Sequence, residues 1–214
     1  MTTRTANKRA ALKKTRTVST GSVIKPGSNG QIRKTGKVQK TLQDLFADGL
    51  KEIYSAEKQL IDALPLMAKA AYHEDLQDAF EFHSQQTKRH AERLEKVFSR
   101  LNIEKSDVHT SEAMKGLIEE ALNIIDEYEQ SAVKDSALII AAQKIEHLEI
   151  ALYGSLCELS DVLGYWNIHD ILGRSLDEEE TTDLNLTEMA VYVNDEACEL
   201  SEELNEEKEK KSEY

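Results

Sequence analysis

Glu57, Glu149 and Glu179 each stand where an apolar helical stripe should have continued, and His83 and His90 interrupt another stripe in the same way. Glu146, Gln86 and Asp183 lie one helical turn or less from these breaks and can reach the same space. Carboxylates and imidazoles buried together are costly unless a cation compensates them. A divalent metal ion, or a pair of them, does so: Fe(II) and Mn(II) accept carboxylate oxygen and imidazole nitrogen, and their charge relieves the repulsion between ligands. Residue by residue a blander reading exists. A single Glu on such a stripe commonly snorkels to solvent, and a single His is commonly a hydrogen-bonded core residue. Interruptions at mid-helix in four separate segments are harder to attribute to coincidence, and spacing alone leaves both readings open.

The elements that must position these residues follow from steps of three and four between apolar residues. The first segment carries Phe46, Leu50, Ile53, Leu60, Leu64, Met67 and Ala71, with Glu57 in its gap. The second carries Leu76, Phe80, Leu94, Val97 and Leu101, and the same stepping lands on His83, Thr87 and His90. The third runs from Leu138 through Ala142, Ile145, Leu152 and Leu156 to Leu163, with Glu149 in its gap. The fourth holds Ile168, Leu172, Leu186, Met189 and Val193, and passes through Ser175, Glu179 and Thr182. A shorter amphipathic stretch, from Met114 to Tyr128, separates the second from the third. Four long helices with a short one between the second and third predict an all-α four-helix bundle. Pro65 is expected to kink or split the first helix.

Composition agrees with that class. The 214 residues include only two Pro and nine Gly, too few for a turn-rich β fold. No apolar run approaches the roughly 18 residues of a membrane span. Cys157 and Cys198 form neither a disulfide framework nor a zinc spacing, and suit a reducing, cytoplasmic setting.

The net charge of −13 conceals an asymmetry. Residues 1–40 hold eleven Lys and Arg and no acid, leaving 16 basic and 40 acidic residues for the remainder. A tail of +11 is therefore joined to a body of −24. The tail has no aromatic residue and no periodic apolar face, so a disordered arm over 1–40 is expected. Such an arm suits nonspecific nucleic-acid contact by phosphate neutralisation, an acidic partner or neighbouring copy, or an organelle-type targeting segment. The bundle is expected over 41–207, with 208–214 fraying at the end of an acidic, solvated helix extension.

Several stretches resemble the YciF/YciE-like family of bacterial ferritin-like, rubrerythrin-type stress proteins. They are Tyr54-Ser55-Ala56-Glu57-Lys58-Gln59-Leu60, the run from Ala113 to Glu120, Ala137 to Ala151 with Gln143-Lys144-Ile145-Glu146-His147 at its centre, and Leu176 to Asp183. The resemblance covers about residues 41–195 and leaves the basic arm outside. It implies a cytoplasmic bacterial protein, dimeric, with iron or manganese in the bundle and ferroxidase or peroxide chemistry. Carried onto this sequence, the metal-site candidates are Glu57, Gln86, His90, Glu146, Glu149, Glu179 and Asp183, for one or two ions. The family's second helix reads His-x-x-Glu-Thr, whereas here His83-Ser84-Gln85-Gln86-Thr87 places a neutral amide at the acidic position. That substitution is expected to weaken the position near Glu57 and with it any oxidoreductase activity, while Glu146, Glu149, Glu179 and Asp183 hold the other.

The competing reading is a noncatalytic structural dimer whose arm contacts DNA or an acidic partner; a cage-forming iron store is a third. Tyr54, three residues before Glu57, is read chiefly as an amphipathic interface residue and secondarily as a hydrogen-bond or electron donor. His147 is expected second to the ligands or exposed, and His73, His109 and His169 have no convergent partners in sequence.

Overall fold

The computed structural model describes residues 39–212, and among these no strand occurs. The basic arm expected over 1–40 lies outside the described residues except for its last two positions. Helix α1 spans Leu42–Ala70, α2 Glu74–Leu101, α3 Glu112–Glu127, α4 Ala132–Val162 and α5 Trp166–Ser212. The four long helices are α1, α2, α4 and α5, with α3 between the second and third, the expected architecture. Helices α1 and α2 pair as one hairpin and α4 and α5 as another, while α3 packs against α1 and α4.

Three of the helix starts are capped by hydroxyl side chains. Thr41 caps α1 by a reciprocal box in which its Oγ1 accepts from the Asp44 amide at 3.1 Å and Asp44 accepts from the Thr41 amide at 2.8 Å. Ser111 and Ser131 cap α3 and α4 through their hydroxyls. The turn between α4 and α5 passes through Gly164 at φ 76°, a left-handed conformation that favours glycine. Pro65 lies inside α1, which runs through it as one assigned helix rather than splitting. Helix α5 continues to Ser212, through most of the stretch expected to fray. Its last buried residue is Val193, and beyond it i,i+4 pairs such as Lys210–Glu206 and Lys211–Glu207 line an exposed surface.

The stripes meet in one core. Phe46, Leu50, Ile53 and Leu60 of α1 are buried with Leu76, Phe80 and Leu94 of α2, Leu138 and Ile145 of α4, and Ile168, Leu172 and Leu186 of α5. Gly49 brings α1 close to α4, since a Cβ there would meet Leu156 Cδ2 at 3.0 Å. Cys157 and Cys198 are free.

One polar joint fixes the end of the bundle. Asp135, fully buried near the start of α4, accepts from the backbone amides of Tyr72 and His73 and from His73 Nδ1, all at 2.7 Å. His73 Nε2 reaches Glu196 of α5 at 2.9 Å. Burial opposes charge on this imidazole, but Glu196 and Asp135 outweigh it and raise its pKa. A raised histidine pKa contributes full stability below the unfolded value near 6.5 and loses it as pH rises through the folded value. His73→Gln should therefore lose more stability at pH 6 than at pH 9 in urea unfolding. An equal loss at both values would remove the ionic part of this account.

Candidate metal centre

Midway along the bundle the apolar layers give way to a buried polar layer. Helix α1 supplies Glu57, α2 supplies His83, Gln86 and His90, α4 supplies Glu146, Glu149 and Tyr153, and α5 supplies Glu179. Glu57, His90, Glu149 and Glu179 are 0% exposed and Glu146 is 1% exposed, so these groups have surrendered their hydration completely. They form two overlapping groups. One contains His83, Glu146, Glu149 and Glu179 and the other Glu57, His90 and Glu179; within each, a ligand atom from every member lies within 4.8 Å of the others.

Glu179 joins the two groups because its oxygens face different imidazoles. Oε1 lies 2.7 Å from His90 Nδ1, and Oε2 lies 3.6 Å from His83 Nε2. His90 Nδ1 is also 3.3 Å from Glu57 Oε1, and His83 Nε2 is 3.3 Å from Glu146 Oε1. Each ring is held from behind through its other nitrogen. His90 Nε2 lies 2.7 Å from Glu178 Oε2, and Arg93 clamps Glu178 with contacts of 2.9 and 2.8 Å. His83 Nδ1 lies 3.4 Å from the Thr182 hydroxyl, which itself donates to the Glu178 carbonyl at 3.0 Å. A hydroxyl so committed accepts from Nδ1–H and leaves the His83 Nε2 lone pair facing the cluster. Tyr153, wholly buried, donates a short hydrogen bond to Glu57 Oε1, and its ring meets His90 edge-on at 6.1 Å between centroids.

The protonation of the layer records unmet charge. Burial pushes Glu146 and Glu149 well above the usual carboxylate range, reinforced at Glu146 by Glu179 and at Glu149 by Glu57. Glu57 is raised to about 7 by burial, with His90 working against the rise. Burial also opposes charge on His90, yet Glu179 and Glu57 outweigh it and raise its pKa to about 10. His83 is lowered by burial and is a neutral donor. Glu178 is held down at about 2, because Arg93 and His90 overcome its partial burial.

Protons do not satisfy the layer. Glu57 Oε2, His83 Nε2, Gln86 Oε1, His90 Nδ1, Glu146 Oε2 and both oxygens of Glu149 and of Glu179 are buried without a hydrogen bond of acceptable geometry. Native interiors leave few such atoms, and each costs about 1–3 kcal/mol unless something pairs it. Those of the glutamates and histidines converge in the two overlapping groups. The donor set, carboxylate oxygen with two imidazole nitrogens, fits a divalent transition ion. Arg93 belongs to the support of that set. Arg93→Met should weaken divalent metal affinity about 10–100-fold by freeing Glu178 and hence His90, measurable by titration of the apoprotein; unchanged affinity would remove this role.

Of the residues named from sequence, Glu57, His90, Glu146, Glu149 and Glu179 come together. Asp183 does not join them: it lies on the shoulder of α5, 3.2 Å from the exposed His147 and 3.4 Å from Gln143. Gln86 is buried, lies against His83 and lines the same cleft as Thr182. His83, an interruption of the stripe in sequence, occupies the place expected for Asp183. Tyr54 faces Glu95, donating to it at 2.8 Å, with its ring 5.1 Å from Phe98; the tyrosine at the cluster is Tyr153. Sequence offered one signal for it, a position one turn beyond Glu149 on the same helix.

An all-α bundle whose long helices each contribute carboxylate or imidazole to a common buried layer is a ferritin-like fold. The chain belongs to the family described as Domain of unknown function (DUF892), which matches residues 41–199. It is 43% identical over 152 residues to Protein YciF of Escherichia coli strain K12, covering 71% of this chain and 92% of that protein. The crystal structure of the E. coli stress protein YciF superposes with a TM-score of 0.70 at 42% identity, over 73% of this chain and 99% of that one. YcfI of Rhodopseudomonas palustris gives a TM-score of 0.65 at 36% identity, over 69% and 94% of the two chains. A protein of Xanthomonas campestris at 17% identity shares the fold, with a TM-score of 0.60 over 76% and 99%.

Proposed function

We propose that the bundle binds one or two divalent metal ions, iron or manganese, between Glu57, His83, His90, Glu146, Glu149 and Glu179, and serves in a stress response as its E. coli relative does. The observation that carries this reading is the convergence of unpartnered ligand atoms in a layer sealed from water. Bound iron would supply electron-transfer chemistry toward dioxygen or peroxide. The chain's own residues would set its conditions. Glu179 would be shared between two positions, Tyr153 would hold Glu57, and Glu178 with Arg93 would orient His90. The surrounding Leu and Ile residues would exclude bulk water. Gln86 lies against His83 and contributes no charge, so a ferroxidase activity would rest on the remaining four carboxylates.

Anaerobic addition of Fe(II) to the apoprotein followed by oxygen tests the reading. Uptake of one or two ions per chain is expected, with oxygen consumed in proportion; no uptake would overturn metal binding, and uptake without oxygen consumption would overturn the redox part. Binding should release protons, since Glu146, Glu149 and His90 are held protonated without metal, and affinity should therefore rise with pH. Calorimetry in buffers of differing ionisation enthalpy measures that release, and its absence would mean that these groups are not protonated in the apoprotein.

A second reading rests on the charge division between arm and body. The +11 arm binds nucleic acid or another polyanion, and the bundle associates as a dimer that pairs such arms. Full-length and 41–214 proteins compared on DNA at two salt concentrations test it. Retention by the full-length chain alone, falling steeply with salt, is expected; equal retention by both would overturn it.

A further inference from the structure

We propose that the cleft between α2 and α5 is the route by which a divalent cation reaches the buried cluster, with Gln86 and Thr182 as its inner oxygen relay. This rests on the metal-binding reading above and adds a path to it. The cleft has a volume of about 360 Å³. Its walls are mainly apolar, formed by Phe80, Phe82, Leu186 and Met189, and among the described residues no Lys or Arg lines it. Asp75 and Asp78 lie toward one end of it, and Gln86 and Thr182 toward the other, where the cluster is.

The antiparallel pairing of the two helices sets this order. Tyr192 donates to Asp75 at 3.4 Å near one end of the seam, Thr182 meets His83 at 3.4 Å farther in, and Arg93 meets Ser175 at 3.1 Å beyond. Asp78 and Gln86 are eight residues apart on α2, about 12 Å along the helix axis. Between them the wall is apolar apart from the exposed Asn185 and Thr181, so the innermost oxygens that a cation meets beyond the acidic end are those of Gln86 and Thr182.

The inner end connects directly to the cluster. Gln86 is 6% exposed and lines the cleft, with its Oε1 closed off from solvent and its side chain against His83. Thr182 lines the cleft too and contacts His83 Nδ1, while the opposite nitrogen of that ring faces Glu146 and Glu179. His83 therefore reaches from the cleft's polar floor to the shared carboxylates. A neutral carboxamide at this point has a use that a carboxylate would lack. It offers oxygen to a dehydrating cation without the charge that would hold it there, so the ion is released inward to four glutamates.

Loading kinetics test the route on the full-length apoprotein, with Co(II) as the probe and its d–d absorption as the readout. Asn185→Trp, at an exposed position on the cleft wall, should slow loading about 10-fold or more by filling the passage. Its equilibrium affinity should stay unchanged, so release by a chelator must slow by the same factor. Asp78→Asn should slow loading by a few-fold at low ionic strength and lose that effect at high salt, because it removes steering rather than a ligand. Asp62→Asn, an exposed charge on α1, should leave the rate within two-fold of the unaltered protein. An unaltered loading rate in Asn185→Trp with normal final occupancy would overturn the route alone. Failure of the unaltered protein to take up Co(II) would overturn the metal reading and the route together. Unaltered loading with slower oxygen consumption after iron is added would assign the cleft to a small neutral molecule and overturn the cation route.

Discussion

The apoprotein carrying Glu149→Met melts at a higher temperature than the unaltered apoprotein, while its metal affinity falls by at least about 100-fold. Both effects come from one side chain. Glu149 is fully buried, both its oxygens lack partners, and burial among acids holds it protonated well above the usual range. Methionine has similar length, leaves no polar atom unpaired and adapts to an irregular gap. The gain should be about 1–3 kcal/mol by analogy with other replacements of buried polar groups by apolar ones. In a domain of this size that corresponds to roughly 2–4 °C in melting midpoint for each kcal/mol. Metal reverses the ranking. A ligand at 100 times its Kd stabilises the folded state by about 2.7 kcal/mol, and only the unaltered protein should gain it. Thermal melts of both proteins with and without Mn(II) give all four values. A lower midpoint for the variant without metal would show that Glu149 is satisfied in the apoprotein, and the case for a metal would lose its main support.

Glu179→Gln should abolish binding at both positions, because Glu179 is the one residue common to both groups. The amide keeps the volume and removes the charge, so loss of the fold does not explain the outcome. A drop in affinity of at least about 100-fold is expected, with bound metal by elemental analysis falling toward zero. Asp183→Asn is the matched comparison. Asp183 contacts Gln143 and His147 outside the cluster, so its replacement should change affinity by less than about three-fold. Equal losses in the two variants would mean that α5 turns Asp183 inward when metal binds. Loss of a single ion in Glu179→Gln would show that the positions do not share this ligand.

The difference between Asp183 and His83 marks where local spacing stops being informative. Four residues along a helix turn 400°, so Asp183 sits about 40° past Glu179, on the shoulder of α5. Thr182 and Leu186 continue the inward stripe, and a shoulder residue meets whichever neighbouring helix is nearer, here α4 through Gln143 and His147. Gln86 shows the same limit: Thr87 is on the stripe, and Gln86 beside it is carried toward the α5 side. The resemblance to a family pattern could assign types to positions, but not which of two neighbouring shoulders faces a given partner. Tyr153 and Arg93 were still less accessible, since their roles exist only through contacts with Glu57 and Glu178 on other helices.

What the sequence determined by itself was the helical class, the order of the helices and the polar layer at their middle. A stripe of period 3.6 is a local property, and a carboxylate that breaks it declares its inward position before any partner is known. The division into a +11 arm and a −24 body was equally legible, since charge needs no fold to be counted. What only the tertiary structure decided was membership and alignment: Glu179 between two imidazoles, His83 rather than Asp183 in the cluster, and a cleft leading to Gln86. Those depend on the rotation and axial offset of four helices packed together. A shift of a few ångströms exchanges one side chain for its neighbour and leaves every local pattern unchanged.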